Sequence, residues 1–260
     1  MRKNYSHAVT AEHVPLKPVL WISPDTDPAQ KSSGKFAERI ADRVPIAFTE
    51  LAVWRLDAGA RYDMPLEVEA VARAAADASL SRFHLFGFSA GATVALAAGL
   101  ALGDSILSIA LLEPATVGDD DWHPIEAKWR REMAALLKLE PTIRTEAFRR
   151  LLMRPGVPPP PARRPHAWGL HDDMLEVMLG HTGFVSRDLA SLQQPTLVVV
   201  GGQSHPRFHH VAQHMVEVMP AAETVVFPAL SHFSPPHREE PDRFSRLLLD
   251  FWAQAQESAG

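Results

Sequence analysis

Phe83-His84-Leu85-Phe86-Gly87-Phe88-Ser89-Ala90-Gly91 runs directly into Ala92-Thr93-Val94-Ala95-Leu96-Ala97-Ala98-Gly99. A short apolar run ends at a serine flanked by glycines, and a run of small helix formers takes over with no spacer. The pattern reads as strand, tight turn, helix, with Ser89 on the turn. The spacing Gly87-Phe88-Ser89-Ala90-Gly91 is that of the G-x-S-x-G nucleophile elbow, in the strand–turn–helix context that gives the motif its meaning. The spacing has a steric cause. The serine sits on a strained turn, and its neighbours at two removes must be small so that strand and helix can pack closely. Ala90 follows the serine, so its N–H lies at the start of a helix and is available to a developing oxyanion. The same pentapeptide also occurs by chance in ordinary turns, but the flanking strand and alanine-rich helix favour the reactive serine.

Outward from the elbow, apolar runs of strand length recur at Val19 to Ser23, Ile46 to Trp54, Ile106 to Glu113, Thr196 to Gly201 and Thr224 to Phe227. They are nearly continuous rather than alternating, as parallel strands covered on both faces must be. Helical stretches alternate with them: Gly34 to Arg43, Pro65 to Ser79, Ala90 to Leu102, His209 to Met219 and Asp242 to Ala255. Such alternation predicts an α/β fold, with a mostly parallel central sheet and helices on both faces. It breaks between Thr116 and Leu192. That stretch carries two amphipathic segments (Ile125 to Leu139, Thr142 to Met153), a stiff Pro158-Pro159-Pro160-Pro161 tract and a further helical piece at His171 to Leu179. Residues 116–192 are therefore expected to be a helical insertion over the sheet's C-terminal edge, where open α/β sheets bind ligands. Residues 1–115 and 193–260 are expected to form the core.

Bulk properties narrow the function. The 260-residue chain is 46% hydrophobic and carries a net charge of −5, ordinary for a soluble globular protein. That charge gives no reason to expect a nucleic acid or an anionic membrane as partner. No cysteine is present, which excludes disulfides, thiolate chemistry and Cys-ligated zinc. The N-terminus has no apolar core behind its charges, and no apolar run approaches a membrane span. The expectation is a cytoplasmic protein acting on a small-molecule substrate without a cofactor, with assembly into a homodimer left open.

A reactive serine needs a histidine within reach and an acid to orient it. Of the 13 histidines, His232 is best placed. It follows the last apolar strand and precedes the C-terminal helix, so it falls on a loop at the catalytic edge of a parallel sheet.

The elbow, the strand Pro195-Thr196-Leu197-Val198-Val199-Val200-Gly201-Gly202, and Ser231-His232-Phe233 followed by Glu240-Pro241-Asp242-Arg243-Phe244 together resemble the α/β-hydrolase fold superfamily over nearly the whole chain. The resemblance implies Ser89 as nucleophile, His232 as base and residues 116–192 as a cap domain. Two departures stand out. Most members carry the acid just after the strand ending at Gly201, but here Gly202-Gln203-Ser204-His205-Pro206 holds no carboxylate. A subset instead has a Glu-Pro after the earlier strand and a Gly-Gly-x-Ser loop after the later one, and this chain resembles it at both points. The resemblance therefore implies Glu113, in Leu111-Leu112-Glu113-Pro114-Ala115, as the orienting acid. The competing arrangements have the ring held by Asp25, by Asp27 or by no carboxylate.

The second departure is the oxyanion hole. Where the family usually has His-Gly, this chain has Trp21-Ile22-Ser23-Pro24-Asp25. Pro24 has no N–H to give. The hole then rests on the backbone N–H groups of Ala90 and Asp25, or it is incomplete.

Phe88, Trp122 and Phe233 are the expected substrate-lining residues, and cap aromatics such as Trp129, Trp168 and Phe184 are equally readable as cap core. His205, His209, His210 and His214 cluster, and His210 and His214 have i, i+4 spacing, but no carboxylate completes a metal motif. No metal site is expected, and Asp119-Asp120-Asp121 reads as a solvated turn. The expected activity is hydrolysis of an ester, thioester or related acyl bond of a small, largely apolar substrate through an acyl-enzyme. The alternative is a non-hydrolytic small-molecule binder or a lyase on the same scaffold, with an incomplete oxyanion hole.

Overall fold

The computed structural model describes residues 15–24, 29–55, 62–117, 123–161 and 183–259. Six strands form one sheet: β1 (Val19–Ser23), β2 (Ile46–Glu50), β3 (Phe83–Phe88), β4 (Ile106–Leu112), β5 (Thr196–Gly201) and β6 (Ala222–Phe227). Their order across the sheet is β2-β1-β3-β4-β5-β6, and every neighbouring pair is parallel. The sheet is flanked by α1 (Ala29–Ile40), α2 (Met64–Asp77), α3 (Ala90–Leu102), α6 (Pro206–Val218) and α8 (Pro241–Ser258), with a short α7 (Pro236–Glu239) before α8. Between β4 and β5 lie α4 (Pro124–Leu136) and α5 (Pro141–Leu151). The helical piece expected at His171 to Leu179 lies outside the described residues. No helix among the described residues is long and apolar enough to cross a membrane.

Alternate strand residues point to opposite faces, and in the four central strands both faces are buried, while the edge strands β2 and β6 are only partly covered. Leu20, Ile22, Leu85, Leu111, Val198 and Val200 pack with α2, α3, α4 and α6. Val19, Trp21, Phe86, Phe88, Leu112 and Val199 pack with α1 and α8. This double coverage is why the strands read as continuous apolar runs.

The chain leaves β1 for the edge strand β2, then crosses back to place β3 on β1's other side. The strand order reverses between β1 and β3, and such a switch point opens a crevice at the strands' C-terminal ends. Ser89, one residue beyond β3, stands there.

Element ends differ from the sequence reading where side chains intervene. The run Ile46 to Trp54 is not one strand: β2 stops at Glu50, and Ala52–Arg55 is a 3-10 turn. The buried Glu67 carboxylate accepts the N–H groups of Ala52 (2.7 Å) and Val53 (3.1 Å), removing both from any ladder. Helix α6 begins at Pro206, ahead of the expected His209, because the His205 ring caps it: Nδ1 accepts the Arg207 N–H at 3.2 Å. His123 caps α4 in the same way, accepting the Ile125 N–H at 3.3 Å. In both, proline follows the capping histidine, where its missing N–H costs nothing.

Candidate active site

The elbow is held by backbone bonds on every side. The Ser89 N–H donates to the Leu112 carbonyl at 2.9 Å, and the Ser89 carbonyl accepts from Ala92 (3.0 Å), Thr93 (3.3 Å) and Ala115 (3.1 Å). Ser89 itself has φ 54° and ψ −120°, a conformation costing a non-glycine residue of order 1–3 kcal/mol. The glycines answer real close approaches. A Cβ on Gly87 would lie 2.4 Å from the Gly91 carbonyl oxygen, and one on Gly91 would lie 2.5 Å from that of Ile22. The turn thus presents a half-buried Ser89 above the sheet. Ala90 is the first residue of α3, so its N–H belongs to the set of helix-start donors that lack intrahelical acceptors.

Glu113 follows β4 and turns away from the sheet at φ 49°. Its N–H donates to Val199 at 3.0 Å. Its carboxylate is 1% exposed and doubly engaged. Oε1 accepts the Gly201 N–H at 2.7 Å, and Oε2 meets His232 Nδ1 at 2.6 Å. A carboxylate acceptor at Nδ1 calls for a proton on that nitrogen, and in the neutral ring that tautomer has Nε2 as its acceptor.

The loop that carries His232 can reach Glu113 because of two more glycines. A Cβ on Gly201 would lie 2.7 Å from the Leu230 carbonyl oxygen, and one on Gly202 would lie 2.5 Å from that of Pro228. Without side chains there, Gly202 donates to Phe227 at 2.9 Å and Gln203 to Leu230 at 2.8 Å. The Gly-Gly step after β5 is the seat of the histidine loop. A second attachment comes from the end of α5: Arg154 donates to Gln203 and His205 donates to Leu152, each at 2.9 Å.

Three aromatic rings enclose the His232 imidazole, which is 4% exposed. The Phe88 centroid lies 5.0 Å away, that of Phe208 5.1 Å away and nearly parallel at 15°, and that of Phe233 5.5 Å away edge-on. Phe233 also carries the Arg149 guanidinium 4.7 Å above its ring.

Of the residues singled out in the sequence, Ser89, Ala90, Phe88, Glu113, His232 and Phe233 gather at this edge. Trp122 and Asp25 lie outside the described residues. Neighbouring Pro24 offers its carbonyl to the Trp54 indole N–H at 3.2 Å. Phe208, Arg207 and the Gly201 N–H were not read from sequence, because an aromatic or an arginine at a helix start carries no mark of what it will stack on.

The histidine cluster resolves into separate roles. His205 caps α6, and its ring is held below the usual imidazole range chiefly by burial and then by Arg207. His210 lies against His123, the rings tilted by 34° with centroids 3.9 Å apart, and is likewise lowered, first by burial and then by His123. Among the described residues no group of three or more His, Asp or Glu side chains could hold a metal ion.

Comparison with known proteins agrees with this architecture. MenH from S. aureus superposes with a TM-score of 0.68 at 16% identity, covering 95% of this chain and 97% of its own. A meta-cleavage product hydrolase from Pseudomonas fluorescens IP01 gives 0.62 at 18% identity, covering 93% and 92%. An alpha/beta hydrolase from Sphaerobacter thermophilus gives 0.61 at 22% identity, covering 92% and 93%. At these identities the likeness is one of fold. No curated protein matches the chain by sequence. The sequence model of the alpha/beta hydrolase family, however, matches residues 13–247, nearly the whole chain, and the protein belongs to that family.

Proposed function

We propose that the protein is a serine hydrolase that cleaves an ester, thioester or related acyl bond of a small, largely apolar substrate. Ser89 Oγ attacks the carbonyl carbon while His232 Nε2 takes its proton. Glu113 holds the imidazole and stabilises the imidazolium that forms. The Ala90 N–H, with the Asp25 N–H as partner, receives the negative charge on the carbonyl oxygen. Collapse of the tetrahedral adduct expels the alcohol or thiol, which leaves with the proton from His232. Water activated by His232 then releases the acid and restores Ser89. In this reading residues 116–192 form a cap over the site, and Phe88, Trp122 and Phe233 line it.

One observation carries the proposal: a buried carboxylate bonded to the far nitrogen of a histidine that packs against the residue preceding a strained serine. The test is labelling with a fluorophosphonate. The wild-type protein is expected to react at one serine, and Ser89→Ala to abolish the adduct. A folded wild-type protein that takes no label would reject the reading.

One feature favours a second reading, that of a non-hydrolytic binder or a lyase. Pro24 stands where an N–H donor is usual, and loss of one such donor costs on the order of 10²–10³ in turnover. A serine that labels in a protein with no turnover on any aryl ester would select this reading.

A further inference from the structure

The hydrogen bond to Glu113 fixes one nitrogen of His232 but not the plane of the ring, since the χ2 torsion of histidine is broad. Packing must set that plane, and the packing is anchored in an unexpected place. The near-parallel Phe208 ring, 1% exposed, has the Arg207 guanidinium 5.0 Å over it. The same guanidinium stands 4.0 Å over Trp129 of α4. Trp129, Arg207, Phe208, His232 and Phe88 thus form one continuous line of contacts, from α4 to the neighbour of Ser89.

Arg207 is the fixed point of this line. It is 0% exposed. Nε and Nη2 fork onto the Glu126 carboxylate of α4 at 2.7 and 2.9 Å, and Nη2 also donates to the Ala115 carbonyl at 2.6 Å. The Ala115 N–H in turn holds the Ser89 carbonyl. A planar fork bonded at both ends of Glu126 cannot rotate, so the ring it covers has little freedom to tilt. Stability does not account for such a pair, because a buried ion pair is often no better than well-packed apolar residues of like volume. Its Nη1 lies buried with no hydrogen-bond partner, a further cost that apolar packing would avoid.

We propose that Arg207 is a positioning residue. Acting through Phe208, it sets the plane of the His232 imidazole and so makes the reactivity of Ser89 depend on how α4 is seated. The inference rests on the serine-hydrolase reading. Arg207 is sealed from substrate, so its influence belongs in turnover rather than in substrate binding.

The test pairs two variants. Glu126→Leu with Arg207→Met removes both charges of the fork together; Arg130, which also pairs with Glu126 at 3.5 Å, keeps its bond to Thr116, so the fold is expected to survive with a modestly lowered Tm. Phe208→Leu removes the flat ring alone. In both, kcat on an aryl ester is expected to fall by on the order of tenfold, as small misplacements of catalytic groups do, with KM within about twofold of wild type. A folded double variant that keeps kcat, whatever its Tm, would overturn the proposal, because a merely structural pair moves stability and leaves turnover alone. Should either variant fail to fold, proton NMR of the wild-type protein decides. The His232 ring protons are expected well upfield of free histidine, from the currents of Phe208 and Phe88. Unshifted resonances would overturn the clamp. That readout needs no turnover, so it stands apart from the fluorophosphonate test of the hydrolase reading.

Discussion

Glu113 Oε2 and His232 Nδ1 meet at 2.6 Å across 119 positions of sequence. The pair is buried, and the second carboxylate oxygen is committed to the Gly201 N–H, so the acid cannot turn away from the ring. Glu113→Gln keeps the shape but presents an amide where an acceptor was, or forces the ring into the other tautomer. Turnover on an aryl ester is expected to fall by on the order of 10⁴, the loss seen when a triad acid becomes its amide. Steady-state kinetics check this, alongside circular dichroism to show that the fold is kept. A variant within tenfold of wild type would remove Glu113 from the proposed triad.

The two glycines after β5 give a second prediction. Gly202→Ala pushes a methyl group to 2.5 Å from the Pro228 carbonyl oxygen, a backbone atom that cannot swing aside. Urea unfolding is expected to show a loss of about 1–3 kcal/mol, typical of overpacking. Activity is expected to fall further than stability, because the displaced segment carries His232. The same substitution at Gly103, where a Cβ meets nothing within 4 Å but φ is 49°, isolates the backbone cost of losing a glycine from the steric cost seen at Gly202.

Acid should weaken the fold through buried histidines. Burial holds His84, on β3 and opposite Ser108 of β4, down to about 4 from an ordinary 6.5. Its Nδ1 lies 2.8 Å from Ser108 Oγ. The folded state keeps this ring neutral while the unfolded chain protonates it. Its contribution is therefore complete above pH 6.5 and is lost as pH falls toward 4, about 3 kcal/mol over that window. His205 and His210, lowered in the same direction, act with the same sign. Thermal melts across pH 7 to 4 are expected to show a falling Tm, and His84→Asn to flatten the curve. An unchanged slope in that variant would exonerate His84.

Glu67 offers a test of the turn that holds the end of β1. Both its oxygens accept backbone N–H groups of the 52–55 turn, which carries the Trp54 indole that holds the Pro24 carbonyl. Glu67→Gln turns one acceptor into a donor facing an N–H. The expected cost is about 1–3 kcal/mol by urea unfolding, the penalty of an unsatisfied buried group. A neutral result would mean that the turn does not depend on this carboxylate.

Much of this was legible in the sequence, for reasons that differ by element. Strands buried on both faces spell themselves as unbroken apolar runs, so Phe83 to Phe88 and Thr196 to Gly201 end where expected. Ser89 was legible because a strained turn demands glycine at two fixed offsets. Glu113 and His232 were singled out through family resemblance and position, and the coordinates bring them together. What stayed hidden depends on partners far along the chain. Nothing in Ile46 to Trp54 announces that Glu67 will claim two of its amides. Nothing in His205-Pro206-Arg207-Phe208 says that the first ring caps a helix while the arginine and phenylalanine stack toward His232. The repeated His-Pro pair at 123–124 and 205–206 was the one local cue to those caps.

Among the described residues, three that are not glycine adopt positive φ, and two of them are Ser89 and Glu113. At Glu113 the backbone would be more comfortable as glycine or asparagine. On the serine-hydrolase proposal this strain is kept for the sake of the contact with His232, and a lineage without that chemistry would hold the acid only through its buried bonds to Gly201 and His232. The identity of the amino acid at that one place is therefore a ready gauge of whether a relative is still under selection for turnover or keeps the scaffold alone.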